Sequence, residues 1–126
     1  MKSINVIVVD DNRATLKLTE LTLKSMGFEN IKTALNGQEG YDKISSEKTD
    51  LILSDWNMPI MDGMKLLEKL KADDKLKEIP FIMQTSQRSQ EHILEALQKG
   101  VDSYIVKPYE SSVLKEKIKD VLNKKN

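Results

Sequence analysis

The chain is expected to fold as an α/β protein, a parallel five-stranded sheet with helices on both faces. Three observations carry that expectation. Short β-branched apolar runs alternate five times with longer segments whose apolar residues recur at helical spacing. Strands that alternate with helices are joined by right-handed crossovers and lie parallel. Two of the runs end abruptly in acids: Val6-Ile7-Val8-Val9 in Asp10-Asp11, and Leu51-Ile52-Leu53-Ser54 in Asp55. Polar side chains thus collect at the edge where parallel strands end, which is where open α/β sheets bind ligands.

The elements follow in order. Ile4–Val9 reads as a strand covered on both faces. Arg13–Met26 is a helix with Ala14, Leu18 and Leu21 sharing one face, stopped by Gly27. Ile31–Ala34 is a weaker strand. After the Asn36-Gly37 turn, Gln38–Ser46 is a helix that turns Tyr41 and Ile44 inward. Leu51–Ser54 is the third strand, and Met64–Ala72 a helix packed through Leu66, Leu67 and Leu70. Pro80 precedes the fourth strand, Phe81–Thr85; the helix Gln90–Lys99 is closed by Gly100. Ser103–Val106 is the fifth strand, and Ser111–Asn123 a last helix with Leu114, Ile118 and Val121 on one face.

The 126 residues suit one domain spanning 1–126, long enough to bury a substantial core. Twenty basic and 20 acidic residues cancel, which removes the broad electrostatic drive toward nucleic acid. Cysteine is absent, so neither a disulfide framework nor a thiolate metal site can form. No apolar stretch approaches the roughly 20 residues of a membrane span. Met1-Lys2-Ser3 runs straight into a strand with no room for a signal peptide, and the expected location is the cytoplasm.

The acids carry the chemistry. Asp10, Asp11 and Asp55 on one rim repel one another and would bind a hard divalent cation. Val106-Lys107-Pro108 puts a lysine after another apolar strand. An acid pair, a lone acid and a lone lysine together point to an aspartate that takes up a phosphoryl group. Each residue also has a plainer reading: Asp10-Asp11-Asn12 as a helix cap, Thr85 as a β-branched strand residue, Tyr104 as core. The lone tryptophan, Trp56, reads as rim filler, and the lone His92 as a half-exposed helix residue. Met58, Met61 and Met64 read as packing.

Val8-Val9-Asp10-Asp11-Asn12, Asp55-Trp56-Asn57-Met58-Pro59-Ile60-Met61-Asp62-Gly63, Thr85-Ser86 and Tyr104-Ile105-Val106-Lys107-Pro108 resemble the receiver domain of two-component response regulators, over essentially the whole chain. Within that family the resemblance is strongest to the stand-alone receivers of chemotaxis. It implies a flavodoxin-like (βα)5 three-layer sandwich with strand order 2-1-3-4-5. It makes Asp55 the phosphoacceptor, charged by a sensor histidine kinase or a small phosphodonor. Mg2+, or Mn2+ in its place, would be bound directly by Asp11, Asp55 and the Asn57 backbone carbonyl, with Asp10 acting through water. Lys107 would face the phosphoryl group, ahead of a cis peptide to Pro108. Thr85 would bond a phosphoryl oxygen beside the small Ser86, and Tyr104 would swing from outward to inward.

The resemblance further implies a monomer whose output is protein contact through Gln90, Ile93, Leu97, Tyr104, Val106 and Lys117. The partners would be a flagellar motor switch protein and a dedicated phosphatase. The chain ends with its last helix, where no output module is expected to follow. Ser89-Gln90-Glu91 is less basic than the motor-binding branch leads one to expect, so a relay intermediate or phosphate sink with a non-motor partner is the alternative. An aspartate-nucleophile phosphohydrolase is a weaker one. Asn57 stands where such enzymes usually keep a general acid, and an amide cannot deliver a proton. Slow self-dephosphorylation is expected, with Asn57 and Gln87 flanking the water's route. A flavodoxin-like nucleotide binder is disfavoured, because Asp10-Asp11 repel phosphate where that fold needs a phosphate-cradling loop.

Overall fold

A computed structural model describes residues 3–86 and 89–125, the side chain of Lys125 excepted; Gln87 lies outside the described residues. Five strands and five helices alternate: β1 (Asn5–Val9), α1 (Arg13–Ser25), β2 (Asn30–Ala34), α2 (Gly37–Ser46), β3 (Leu51–Asp55), α3 (Gly63–Lys71), β4 (Phe81–Thr85), α4 (Gln90–Lys99), β5 (Ser103–Val106) and α5 (Ser111–Lys125). The strands form one parallel sheet in the order β2-β1-β3-β4-β5. Among the described residues no helix is long and apolar enough to cross a membrane.

Period-two alternation divides the core. Val6 and Val8 of β1, Leu51 and Leu53 of β3, Ile82 of β4 and Ile105 of β5 pack with Leu16 and Leu23 of α1 and Leu114, Ile118 and Val121 of α5. Their strand neighbours Ile7, Val9, Ile52, Phe81, Met83 and Tyr104 face the other way. They pack with Ile44 of α2, Leu66, Leu67 and Leu70 of α3, and Ala96 of α4. This two-sided burial is why the strands read as continuous apolar runs. Side-chain caps start four helices: Asn12, Asn36, Asp62 and Ser89 each accept a bond from a backbone N–H three residues on.

One expected face is wrong. Leu18 and Leu21 are 66% and 50% exposed, and Ala14 is exposed too. The buried side of α1 is Leu16, Thr19 and Leu23. This helix carries two apolar stripes, and the inward one has a threonine at its centre, which disguises it in the sequence. Leu18 instead borders an apolar groove of about 440 Å³ shared with Thr22, Pro108 and Tyr109.

Candidate functional site

Register builds the site before any side-chain contact does. Val9 pairs with Ser54, Asp55 with Gln84, and Thr85 with Val106. Backbone bonds extend the ladder past the strand ends: Asp10 N to Ala34 O at 3.0 Å, Trp56 N to Gln84 O at 3.0 Å and Lys107 N to Thr85 O at 2.8 Å. The same alternation then aims the side chains. Asp10 follows Val8 by two residues, Asp55 follows Leu53, Gln84 follows Ile82 and Lys107 follows Ile105, so all four lean toward the α1/α5 side. Thr85 follows Met83 by two, and it shares with Tyr104 the side covered by α4.

Asp10, Asp11, Asn12, Asp55, Trp56, Asn57, Thr85, Ser86 and Lys107 line one cavity of about 260 Å³, together with Thr15 and Gln84. Carboxylate oxygens of Asp10, Asp11 and Asp55 lie within 4.8 Å of one another. Lys107 Nζ stands 2.5 Å from Asp55 Oδ1 and 3.2 Å from Asp10 Oδ2. Asp10 is buried, and its other oxygen accepts the Asn12 N–H at 2.9 Å; Asp11 is exposed. Asn12 is also the cap of α1, taking the Thr15 N–H at 3.0 Å, so capping and cavity lining use neighbouring atoms. The Lys107–Pro108 peptide is cis.

Burial pushes the Asp55 carboxyl up to about 7 from 3.8; Asp10 adds to the rise and Lys107 opposes it. Burial works against the charge of Lys107, but Asp55 and Asp10 outweigh it and hold its pKa above the ordinary lysine value. Asp55 Oδ1 is buried, and the Lys107 ammonium beside it partly offsets the cost of burying its charge. Three carboxylates whose oxygens lie within 4.8 Å of one another could hold a magnesium ion and would lose their mutual repulsion to it. The all-oxygen donor set fits a hard divalent cation.

Thr85 is buried at the cavity's inner end. Tyr104 is already buried on the same side of the sheet, so the outward starting position expected for it is not the one seen here. Its phenol pKa is raised by that burial and partly restored by the Thr85 side chain. Of the expected contact residues, Ile93, Leu97, Tyr104, Val106 and Lys117 line one groove of about 700 Å³ along α4, β5 and α5, whereas Gln90 is exposed outside it. Tyr104 contributes to the floor of that groove and not to its outer surface.

Trp56 is buried, and the His92 ring meets it edge-on at 5.5 Å, joining the residue after Asp55 to α4. Met64 is buried, and Met58 and Met61 pack against the core below the rim. The sequence reading passed over Gln84 and Thr15. Gln84 accepts a hydrogen bond from the Tyr109 hydroxyl at 3.0 Å. Its signal was available: an amide inside an otherwise apolar strand, two residues past Ile82, has the same orientation as Asp55.

Comparison with known proteins agrees with this geometry. A family model for the response regulator receiver domain matches residues 6–119. The chain is 40% identical over 118 residues to chemotaxis protein CheY1 of Helicobacter pylori, covering 93% of this chain and 95% of that one. It is 35% identical to chemotaxis protein CheY-3 of Vibrio cholerae, covering 98% and 95%. Among solved structures, a CheY-like response regulator receiver domain protein from Methanospirillum hungatei superimposes with a TM-score of 0.87 at 35% identity, covering 98% of this chain and 97% of that one.

Proposed function

Because the chain belongs to the response regulator receiver domain family, we propose that it is a phosphorylation-activated switch of a two-component pathway, charged on Asp55 by a sensor histidine kinase. The observation that carries this reading is the meeting, in one cavity, of three carboxylates within 4.8 Å and a lysine 2.5 Å from one of them. An ordinary strand end gathers no such set.

In the transfer, a carboxylate oxygen of Asp55 attacks the phosphorus of a phosphohistidine. The O–P bond of an acyl phosphate forms as the P–N bond breaks, and the departing imidazole nitrogen takes up a proton. Lys107 already lies against the attacking carboxylate, and its flexible stem lets it follow the charge onto the phosphoryl oxygens. A divalent ion, Mg2+ or Mn2+, would supply charge neutralisation there. Asp11, Asp55 and the Asn57 carbonyl would hold it, and Asp10 would act through water, its carboxylate being partly taken up by Lys107 and the Asn12 N–H. Asn57 has no proton to give a leaving group, so turnover of outside substrates is not expected, only slow loss of the chain's own phosphoryl group.

The new charge, about −1.5 to −2, draws the Thr85 hydroxyl toward it. Tyr104, on the same side of the sheet, follows, and the α4-β5-α5 groove changes shape. The chemotaxis names of the relatives support a role in chemotaxis, for which the proposed partner is a flagellar motor switch and the proposed acting species a cytoplasmic monomer. The first turn of α4, which carries Glu91 and no lysine or arginine, favours a second reading: a relay intermediate or phosphate sink with another partner. Intact mass after treatment with acetyl phosphate and Mg2+ tests the acceptor. The wild type should gain one phosphoryl adduct and Asp55→Asn none; equal adducts on both would remove Asp55 from the role. Capture with and without beryllofluoride tests the output.

A further inference from the structure

The loop from β3 to α3 contains a conflict that its own contacts do not relieve. Ile60 has φ +68°, and the Met61 N–H bonds the Pro59 carbonyl at 2.7 Å. That combination is a γ-turn of positive φ, a rare and strained form, here with a β-branched residue at its centre. Gly and Asn adopt such a φ far more readily. The loop cannot relax around it. Gly63 N bonds Trp56 O at 2.7 Å and closes the loop's base, and a Cβ on Gly63 would lie 2.1 Å from the Asp55 carbonyl. Gly37 N bonds Met61 O at 2.8 Å, with a would-be Cβ 2.5 Å from the same atom.

A strained isoleucine is normally offset by burial, but Ile60 is 81% exposed. Exposed apolar residues are common; an exposed β-branched residue held at positive φ is not. The side chain therefore contributes little within the chain. Its position says what it faces. Asn57 lines the phosphoacceptor cavity, and Ile60, three residues later, lies at most about 11 Å from it along the chain. The Asp55 side chain is only 16% exposed, so a protein donor must seat its histidine past this rim and lay its own surface on it. A small phosphodonor need not.

Building on the phosphoacceptor reading of Asp55, we infer that Ile60 is a docking residue for the phosphodonor protein, taking up an apolar patch beside the donor histidine. The probe is the autophosphorylated histidine kinase of the source genome that transfers fastest to the wild type, set against acetyl phosphate. Ile60→Asn suits the turn and should raise the melting temperature. It should leave labelling by acetyl phosphate unchanged. Transfer from the kinase, at kinase concentrations below saturation, should slow about tenfold, the factor for losing most of one isoleucine's apolar contact. Ile60→Val should restore most of the rate. Equal kinase transfer to wild type and Ile60→Asn would overturn the inference, as would a parallel fall with both donors. Loss of beryllofluoride-dependent partner capture with kinase transfer intact would overturn it too, by assigning Ile60 to the output side. Failure of acetyl phosphate to label the wild type at all would instead strike the phosphoacceptor reading.

Discussion

Lys107 Nζ lies 2.5 Å from Asp55 Oδ1, so the carboxylate proposed to serve a phosphoryl group and a cation is already paired with a side-chain ammonium. On that proposal, lysine and metal compete for the charge of one carboxylate. Removing the lysine with Lys107→Met should tighten divalent binding by roughly tenfold, the effect of about 1–2 kcal/mol of like-charge repulsion in a partly solvated site. The same change should slow phosphotransfer, because no side-chain cation remains to follow the charge. Isothermal titration with Mg2+ reads the first effect and acetyl phosphate labelling the second. Weaker Mg2+ binding in Lys107→Met would contradict the competition.

The raised pKa of Asp55 has a sign that melting curves can read. At about 7 in the folded chain against 3.8 ordinarily, the native carboxyl keeps its proton over a range where the unfolded chain has released it. Its contribution to stability is complete below about pH 4 and is lost as the pH rises through 7. Asp55→Asn cannot ionise and escapes that loss. In chelator at pH 8 it should be more stable than the wild type by on the order of 2 kcal/mol, with the gap closing toward pH 4. Added Mg2+ should stabilise the wild type and leave the variant nearly untouched, and Mg2+ affinity should fall as pH drops below 7. Parallel pH profiles for both proteins in chelator would refute the assignment.

Trp56 is the chain's single tryptophan, buried directly after Asp55 and in edge contact with His92. Its emission should be quenched by millimolar Mg2+, and Asp11→Asn should abolish the change. An unaltered spectrum in the wild type would count against a metal between Asp11 and Asp55.

Much of this architecture was legible because burial on two faces leaves a plain mark. The Val6–Val9, Leu51–Leu53 and Phe81–Met83 runs could only be covered strands, and acids at their ends could only lie on one rim. The outward turn of α1 was not legible. Leu18 and Leu21 look like core by composition, and only packing shows that Leu16, Thr19 and Leu23 take the inside. Gln84 was obscured by its apolar neighbours although its parity matches that of Asp55. The pairing of Lys107 with Asp10 as well as Asp55 spans 97 residues and follows from strand order, which local pattern does not contain. Ile60 carries no sequence signal at all; its positive φ belongs to a loop held at its base by Gly63 and from α2 by Gly37.

Thr85 and Tyr104 share one side of the sheet, so the path from phosphate to output should break between them without harm to phosphorylation. Thr85→Ala should still take one phosphoryl adduct on Asp55, yet lose most of the beryllofluoride-dependent partner capture. Inverting a two-state population from about 1:99 to 99:1 takes roughly 5.5 kcal/mol. Losing one charge-assisted hydrogen bond, worth about 1.5–3 kcal/mol, leaves the switch short of completion. Full capture by Thr85→Ala would mean that the signal leaves the site by another route.

Gly63 makes the closest backbone approach in the site: a Cβ there would lie 2.1 Å from the Asp55 carbonyl oxygen and 3.0 Å from Met83 Sδ. Neither neighbour can yield cheaply, since one is the backbone of Asp55 and the other is fully buried. Gly63→Ala should therefore cost about 3 kcal/mol of stability, the upper end of overpacking costs. It should also reduce acetyl phosphate labelling by about a hundredfold, because a displacement near 1 Å at a reacting group has that effect. Gly27→Ala is the control. Gly27 also sits at positive φ, +103°, but a Cβ there meets nothing within 4 Å. It should lose only about 1–2 kcal/mol to backbone conformation and keep its labelling rate. Equal losses of labelling in the two variants would show that general destabilisation, and not the position of Asp55, sets the chemistry.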